Sequence, residues 1–144
     1  MKTFEELDCW KKAAALRRTV SALTKAFPAE EKFRLTDQLV RASRSVTANL
    51  AEGFGRFHHQ EYIQYCRQSR GSLYEIIDHL IVARDENYIS ENELNEMRNE
   101  VNACLAVING FINYLVKAKD RDHLKEPHLF YMPDDSGERR TDNG

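Results

Sequence analysis

At 144 residues, with 42% hydrophobic and 31% charged side chains and a formal net charge of -2, the sequence suits one domain whose core needs neither disulfide nor metal. No window approaches 18 uninterrupted apolar residues, and the opening Met1 to Glu6 carries acids without an apolar stretch. Neither a membrane span nor a secretory leader is therefore expected.

The first helix opens at a capping box, Thr3 with Glu6, in which the threonine hydroxyl and the glutamate carboxylate each take an otherwise orphan amide. Apolar positions recur at Phe4, Leu7, Ala14, Val20, Leu23 and Phe27, and Pro28 ends the pattern because the residue before a proline is pushed out of the α region. A second helix is predicted from between Glu30 and Thr36 to about Glu52, with Leu35, Leu39, Ala42, Val46 and Leu50 inward. Its stop is assigned to Gly53-Phe54-Gly55, through the left-handed conformation glycine adopts at low cost. The third helix spans about His59 to Glu86, burying Ile63, Cys66, Leu73, Ile76, Ile77, Leu80 and Ile81, with Asn87 as a left-handed terminator.

Ser90 and Glu93 form another capping box, and a stripe from Leu94 through Met97, Val101, Leu105, Ile108 and Ile112 to Leu115 defines the fourth helix, fraying near Lys119. Short connections between such helices favour antiparallel neighbours. The expected fold is an all-α, up-down-up-down four-helix bundle over residues 1–120, followed by a flexible, disordered charged tail over 121–144.

Reactive chemistry finds little footing. Cys9, Cys66 and Cys104 are odd in number, far apart and without a Cys-x-x-Cys pair, which predicts buried free thiols in a reducing cytoplasm. Glu75 and His79 lack the Glu-x-x-His spacing and the companion pair a bundle di-metal site requires, so a surface pair is expected. His58 and His59 read as solvated imidazoles beside a glycine turn. Gly53-Phe54-Gly55-Arg56 is no phosphate loop, lacking both the preceding strand and a following Gly-Lys-Ser/Thr. No catalytic residue, cofactor, metal or small-molecule substrate is expected.

Small and polar residues on facing stretches suggest close packing of helices 2 and 3: Ser45, Asn49 and the alanines around them on one, Ser69, Gly71 and Ser72 on the other. A glycine in mid-helix costs about 1 kcal/mol relative to alanine, and a close backbone approach at Gly71 would account for it.

The net charge conceals a polarity, since residues 1–70 hold 13 Lys and Arg against 8 Asp and Glu, and residues 71–144 hold 8 against 15. Lys11, Arg18 and Lys25 recur every seven residues beside Lys12 and Arg17; Arg34, Arg41 and Arg44 follow on helix 2, and Arg67 and Arg70 on helix 3. Seven-residue spacing drifts only about 20° per heptad, so these form stripes. Two readings stand. In one, few acids lie a turn away and the cations contact RNA or DNA phosphates, with Trp10, Phe54, Phe57 and Tyr62 available to stack on bases. In the other, the chain is a structural or protein-interaction scaffold without a nucleic-acid role, its basic face meeting Glu91, Glu93, Glu96 and Glu100 of a neighbouring copy.

A resemblance adds to this. Leu7-Asp8-Cys9-Trp10-Lys11-Lys12-Ala13, Phe27-Pro28-Ala29-Glu30-Glu31, Leu35-Thr36-Asp37-Gln38-Leu39 and Arg41-Ala42 are its outlying parts, and Ser69-Arg70-Gly71-Ser72-Leu73-Tyr74-Glu75 and Tyr88-Ile89 its later ones. The most specific stretch is Ser45-Val46-Thr47-Ala48-Asn49-Leu50-Ala51-Glu52-Gly53-Phe54-Gly55-Arg56. Over about residues 3–118 the sequence resembles the four-helix-bundle proteins encoded in intervening sequences of bacterial 23S ribosomal RNA genes, a group similar to the accessory variability protein of diversity-generating retroelements. The resemblance implies a homopentameric ring and, from the retroelement relatives, basic surfaces that bind nucleic acid and a reverse transcriptase. It implies a structural part for Ser45, Asn49, Glu52, Gly53, Arg56, Arg70, Gly71 and Ser72. Where the family usually has a proline this chain has Thr47, which can bend a helix less sharply by bonding back to a carbonyl.

Overall fold

Four helices carry the molecule: α1 (Asp8–Thr24), α2 (Leu35–Phe54), α3 (His59–Asp85) and α4 (Glu91–Lys125). The structure, a computed structural model, describes residues 1–125, with side chains as far as Asp122. The expected tail lies outside that range from residue 126 onward, whereas α4 continues past the predicted limit at 120.

Local chemistry places most ends where the sequence put them. The Thr3 box caps a short 3-10 turn, Phe4–Glu6, and not α1 itself: the Glu6 carboxylate accepts the Lys2 and Thr3 amides, Thr3 Oγ1 accepts from the Glu5 amide, and Leu7 is extended before α1 begins. At the head of α4 the Ser90 hydroxyl accepts from the Glu93 amide at 3.1 Å while Glu93 accepts from the Ser90 amide at 2.8 Å. Asn87 has φ 64°, and the Tyr88 amide reaches back to the Ala83 carbonyl, the wrap-around bond of a helix closed by a left-handed residue. The end of α2 corrects the expectation there. Gly53 lies inside the helix and Gly55 caps it at φ -77°, an ordinary right-handed conformation.

Each helix packs on its sequence neighbours, and α1 closes the set against α4, while among the described residues the backbones of α1 and α3, and of α2 and α4, stay apart across the shared core. Partners rise in number on one helix as they fall on the next: Gln60 meets Lys119, Arg70 meets Asn109 and Arg84 meets Glu91 between α3 and α4. Between α2 and α3 the corresponding pairs are Gly53 with Tyr62, Val46 with Ser69 and Ser45 with Ser72. Leu16, Leu39, Leu50, Leu73, Ile76, Leu80, Leu94 and Ile108 are fully buried at the centre. Each such side chain contributes about 1.5–3 kcal/mol by leaving water, so the apolar stripes hold the bundle.

α4 is long and apolar enough, by length and composition alone, to cross a bilayer. Its stripe, Leu94, Met97, Val101, Cys104, Leu105, Ile108, Ile112 and Leu115, is buried against the other helices.

Candidate nucleic-acid interface

The predicted basic residues do not share one environment. Arg17, on the flank of α1 facing α2, is spent inside the fold: Nη1 donates to Thr47 Oγ1 at 2.9 Å, and the guanidinium lies 5.9 Å from the centre of the Trp10 ring. Arg34 and Arg41 are neutralised locally, by Glu31 at 3.7 Å and Asp37 at 3.4 Å, so for these two the expectation of unpaired cations was incorrect. Asp37 lies one turn before Arg41 on α2, the spacing that brings side chains together on a helix, whereas Arg34, just ahead of α2, takes Glu31 from the preceding 3-10 turn.

Arg18 and Arg44 are exposed and, among the described residues, form no ion pair. They line one small groove of about 150 Å³ between α1 and α2, with Arg17, Ser21, Val40 and Ser43 forming the rest of its wall. Lys11 and Lys25 are exposed one heptad before and after Arg18 and extend the same stripe. Lys12 is also exposed but turns towards α4, close enough to Cys104 to oppose slightly the burial that pushes that thiol up to about 11. Of the eight cations predicted on helices 1 and 2, the structure thus brings Arg17, Arg18 and Arg44 to one groove and leaves Lys11 and Lys25 exposed.

Three of the four candidate stacking aromatics are packed away. Trp10 and Phe54 both pack edge-on to Phe4, and Tyr62 packs edge-on to Phe111 at 5.2 Å. Only Phe57 stands in solvent, 99% exposed.

The motif around Asn49 is a fastening between α2 and α3. Asn49 Nδ2 donates to the Ser45 carbonyl and to Ser45 Oγ, which also receives the Ser72 hydroxyl at 2.9 Å. Ser69 Oγ donates to the Val46 carbonyl at 2.8 Å across the interface. Arg56 ties the end of α2 to α3, donating to Glu52 at 3.1 Å and to the Tyr65 hydroxyl at 2.8 Å, and Arg70 donates to Asn109 on α4. The glycine that permits the close approach is Gly53, where an added Cβ would meet Tyr62 Cδ1 at 2.8 Å and Tyr65 Cβ at 3.0 Å. Gly71 does not: it is exposed, with nothing within 4 Å of such a Cβ, so the reason assigned to it from sequence was incorrect.

Sequence reasoning missed Glu31, a buried acid. Its carboxylate takes the Tyr88 hydroxyl at 2.7 Å and the Leu35 amide at 3.1 Å, so it caps α2 from the preceding turn. Those bonds, Tyr88 first, hold its carboxyl below the usual range and push the Tyr88 phenol up to about 12. A Glu four residues ahead of a helix start is a capping signal only once the 3-10 turn that holds it is known. Glu75 and His79 form the surface pair expected, 3.1 Å apart, and His59 meets Asp122 at 3.2 Å. Among the described residues no three His, Cys, Asp or Glu side chains converge as a metal site requires.

A four-helix protein with a cationic groove between its first two helices is the class this geometry defines. The chain belongs to the 23S rRNA-intervening sequence protein family, which matches residues 5–110. Among solved structures it is similar to a protein of unknown function from the S23 ribosomal protein family of Bacteroides thetaiotaomicron, with a TM-score of 0.68 at 18% identity, covering 73% of this chain and 95% of that one. At that identity the likeness shows the fold. A comparison with curated proteins finds no match.

Proposed function

We propose that this protein is a non-catalytic, self-assembling module of the cytoplasm that binds RNA or DNA along the α1–α2 face. The observation that carries this reading is the placement of Arg18 and Arg44 on one groove without acidic partners among the described residues, with Lys11 and Lys25 continuing the line. Two guanidiniums bordering a cleft with two serine side chains suit a phosphate, since guanidinium offers paired donors in the geometry of phosphate oxygens. The buried free thiols suit a reducing compartment.

The scaffold alternative draws less support. Of the four α4 acids it relies on, Glu91 is engaged by Arg84, Glu93 caps α4 and Glu100 accepts from the Thr19 hydroxyl, which leaves Glu96. Assembly itself fits the exposed Phe33 and Val82, which border one hollow near the α3–α4 turn. The pentameric ring of the resemblance would set several α1–α2 grooves around one axis, and a reverse transcriptase is the enzyme such an accessory would serve.

Fluorescence anisotropy with a mixed-sequence RNA and a DNA of equal length tests the reading, run alongside light scattering for subunit number. Contact with six to ten phosphates across an oligomer predicts an affinity loss of about 10³–10⁵-fold between 50 and 200 mM salt. A salt-independent affinity, or none at 50 mM, would reject it.

A further inference from the structure

Aromatic rings gather at the surface where α2 passes into α3. Phe54, Phe57, Tyr62, Phe111 and Tyr114 line a pocket of about 420 Å³ there. Phe111 and Tyr114 stack on each other at 6.1 Å with 13° between their planes. Phe57 is 99% and Tyr114 58% exposed, so two large rings around one pocket stand open to water. A patch of this kind marks a binding surface.

The lining chemistry selects the occupant. His58, His59 and Arg56 complete the polar part of the wall, and no carboxylate lines it among the described residues. Arg56 is held by Glu52 and Tyr65, and His59 by Asp122, so what the pocket offers is mainly flat π-faces. A basic side chain finds no acid in that wall. A nucleobase is flat and uncharged, and every base stacks on an aromatic face whatever its sequence.

The α1–α2 groove lies within reach of the pocket. Residue numbers fall on the α1 side as they rise on α2, with Arg17 at Thr47 and Phe4 at Phe54. Lys11, exposed and one heptad before Arg18, therefore stands about 10 Å from it towards the aromatic end. From Arg44 to Phe54 along α2 is about 15 Å. A stacked strand advances about 3.4 Å per nucleotide, so about five nucleotides join a phosphate in the groove to a base at the pocket. We propose that Phe57 and Tyr114 form a base-stacking platform for single-stranded nucleic acid, holding an unpaired base while Lys11 and the Arg18–Arg44 groove hold the phosphates. The platform rests on the reading of that groove as a phosphate site, and it adds a preference for unpaired bases that cations alone do not give.

Phe57→Ala tests this in the full chain, where an exposed side chain is removed without touching the core. Fluorescence anisotropy is read with a single-stranded RNA of about twelve nucleotides, within the site sizes of such binders, and with a duplex of the same sequence. Losing one stacked base predicts a fall in single-strand affinity of about 5- to 150-fold at fixed salt. The slope against salt should stay as in the parent, since no phosphate contact is lost. The duplex, its bases already stacked inside, should bind variant and parent alike. Phe57→Trp should restore single-strand affinity, and Phe57→Leu, apolar but without a π-face, should not. Equal single-strand affinity of parent and Phe57→Ala, an equal loss on the duplex, or full rescue by Phe57→Leu would overturn the platform and leave the groove standing. A parent that binds no single strand at about 50 mM salt would overturn both.

Discussion

Gly53 and Gly71, on adjoining helices, have opposite meanings in the fold. At Gly53 a methyl group meets Tyr62 and the Cβ of Tyr65, so Gly53→Ala forces α2 and α3 apart. Overpacking of this kind costs about 1–3 kcal/mol. At Gly71 the methyl group meets nothing, so Gly71→Ala removes the flexibility of an exposed helical glycine and stabilises by about 0.5–1 kcal/mol. Urea unfolding of the two variants should move the midpoint in opposite directions; a loss at both would place a neighbour over Gly71. Sequence could not assign these roles, because the clash at Gly53 comes from residues 9 and 12 positions later, and only the crossing of the helices brings them near. Glu31 was hidden for the same reason, its partner Tyr88 lying 57 residues away. Its carboxyl is more acidic folded than unfolded, so its contribution is complete above about pH 4.5 and fades as the pH falls through the lower folded value. Glu31→Gln should therefore flatten the acid side of the stability profile, and an unchanged profile would remove Glu31 from the account.

Among the elements, α1 and α2 show why cationic stripes are visible in sequence while their availability is not. Heptad spacing of Lys11, Arg18 and Lys25 was enough to put them on one face, and all three are exposed. Arg17 and Arg18 are adjacent in sequence, yet one is tied to Thr47 and the other open, since a step of one residue turns about 100° around the helix. Thr47 itself donates to the Arg44 carbonyl at 3.1 Å, the back-bond expected at this position, and accepts from Arg17 at the same time. Thr47→Val keeps the shape and removes both bonds, and a lost bond to a charged group predicts about 1.5–3 kcal/mol of destabilisation. Thermal unfolding checks this, and a variant as stable as the parent would mean that Arg17 rests on Trp10 alone. Helix ends were legible where the signal was local, as at Ser90 with Glu93 and at Asn87. The end of α2 was misread because glycine at a helix terminus is compatible with either hand.

For the whole molecule, periodic burial decided the fold: Leu39, Leu73 and Ile108, from three different stripes, are all fully buried. The same core encloses all three cysteines. Burial pushes the Cys66 thiol up to about 12 and those of Cys9 and Cys104 to about 11. At pH 8 the native protein should leave a thiol reagent almost unreacted, and unfolding in denaturant should release three equivalents; rapid native labelling of any thiol would show a core open to solvent. Function is the level at which sequence and geometry meet least directly, because a phosphate site depends on which cations stay unpaired after folding. The decisive measurement is the slope of log binding constant against log salt for a single-stranded RNA, compared between Arg18→Ala/Arg44→Ala and Arg34→Ala/Arg41→Ala. Loss of two phosphate contacts per subunit predicts a slope shallower by about 1.4 for each subunit engaged in the first double variant. The second should change little, since its arginines already have acidic partners. Equal effects of the two variants, or a slope unchanged by the first, would contradict the α1–α2 groove as the place where nucleic acid binds.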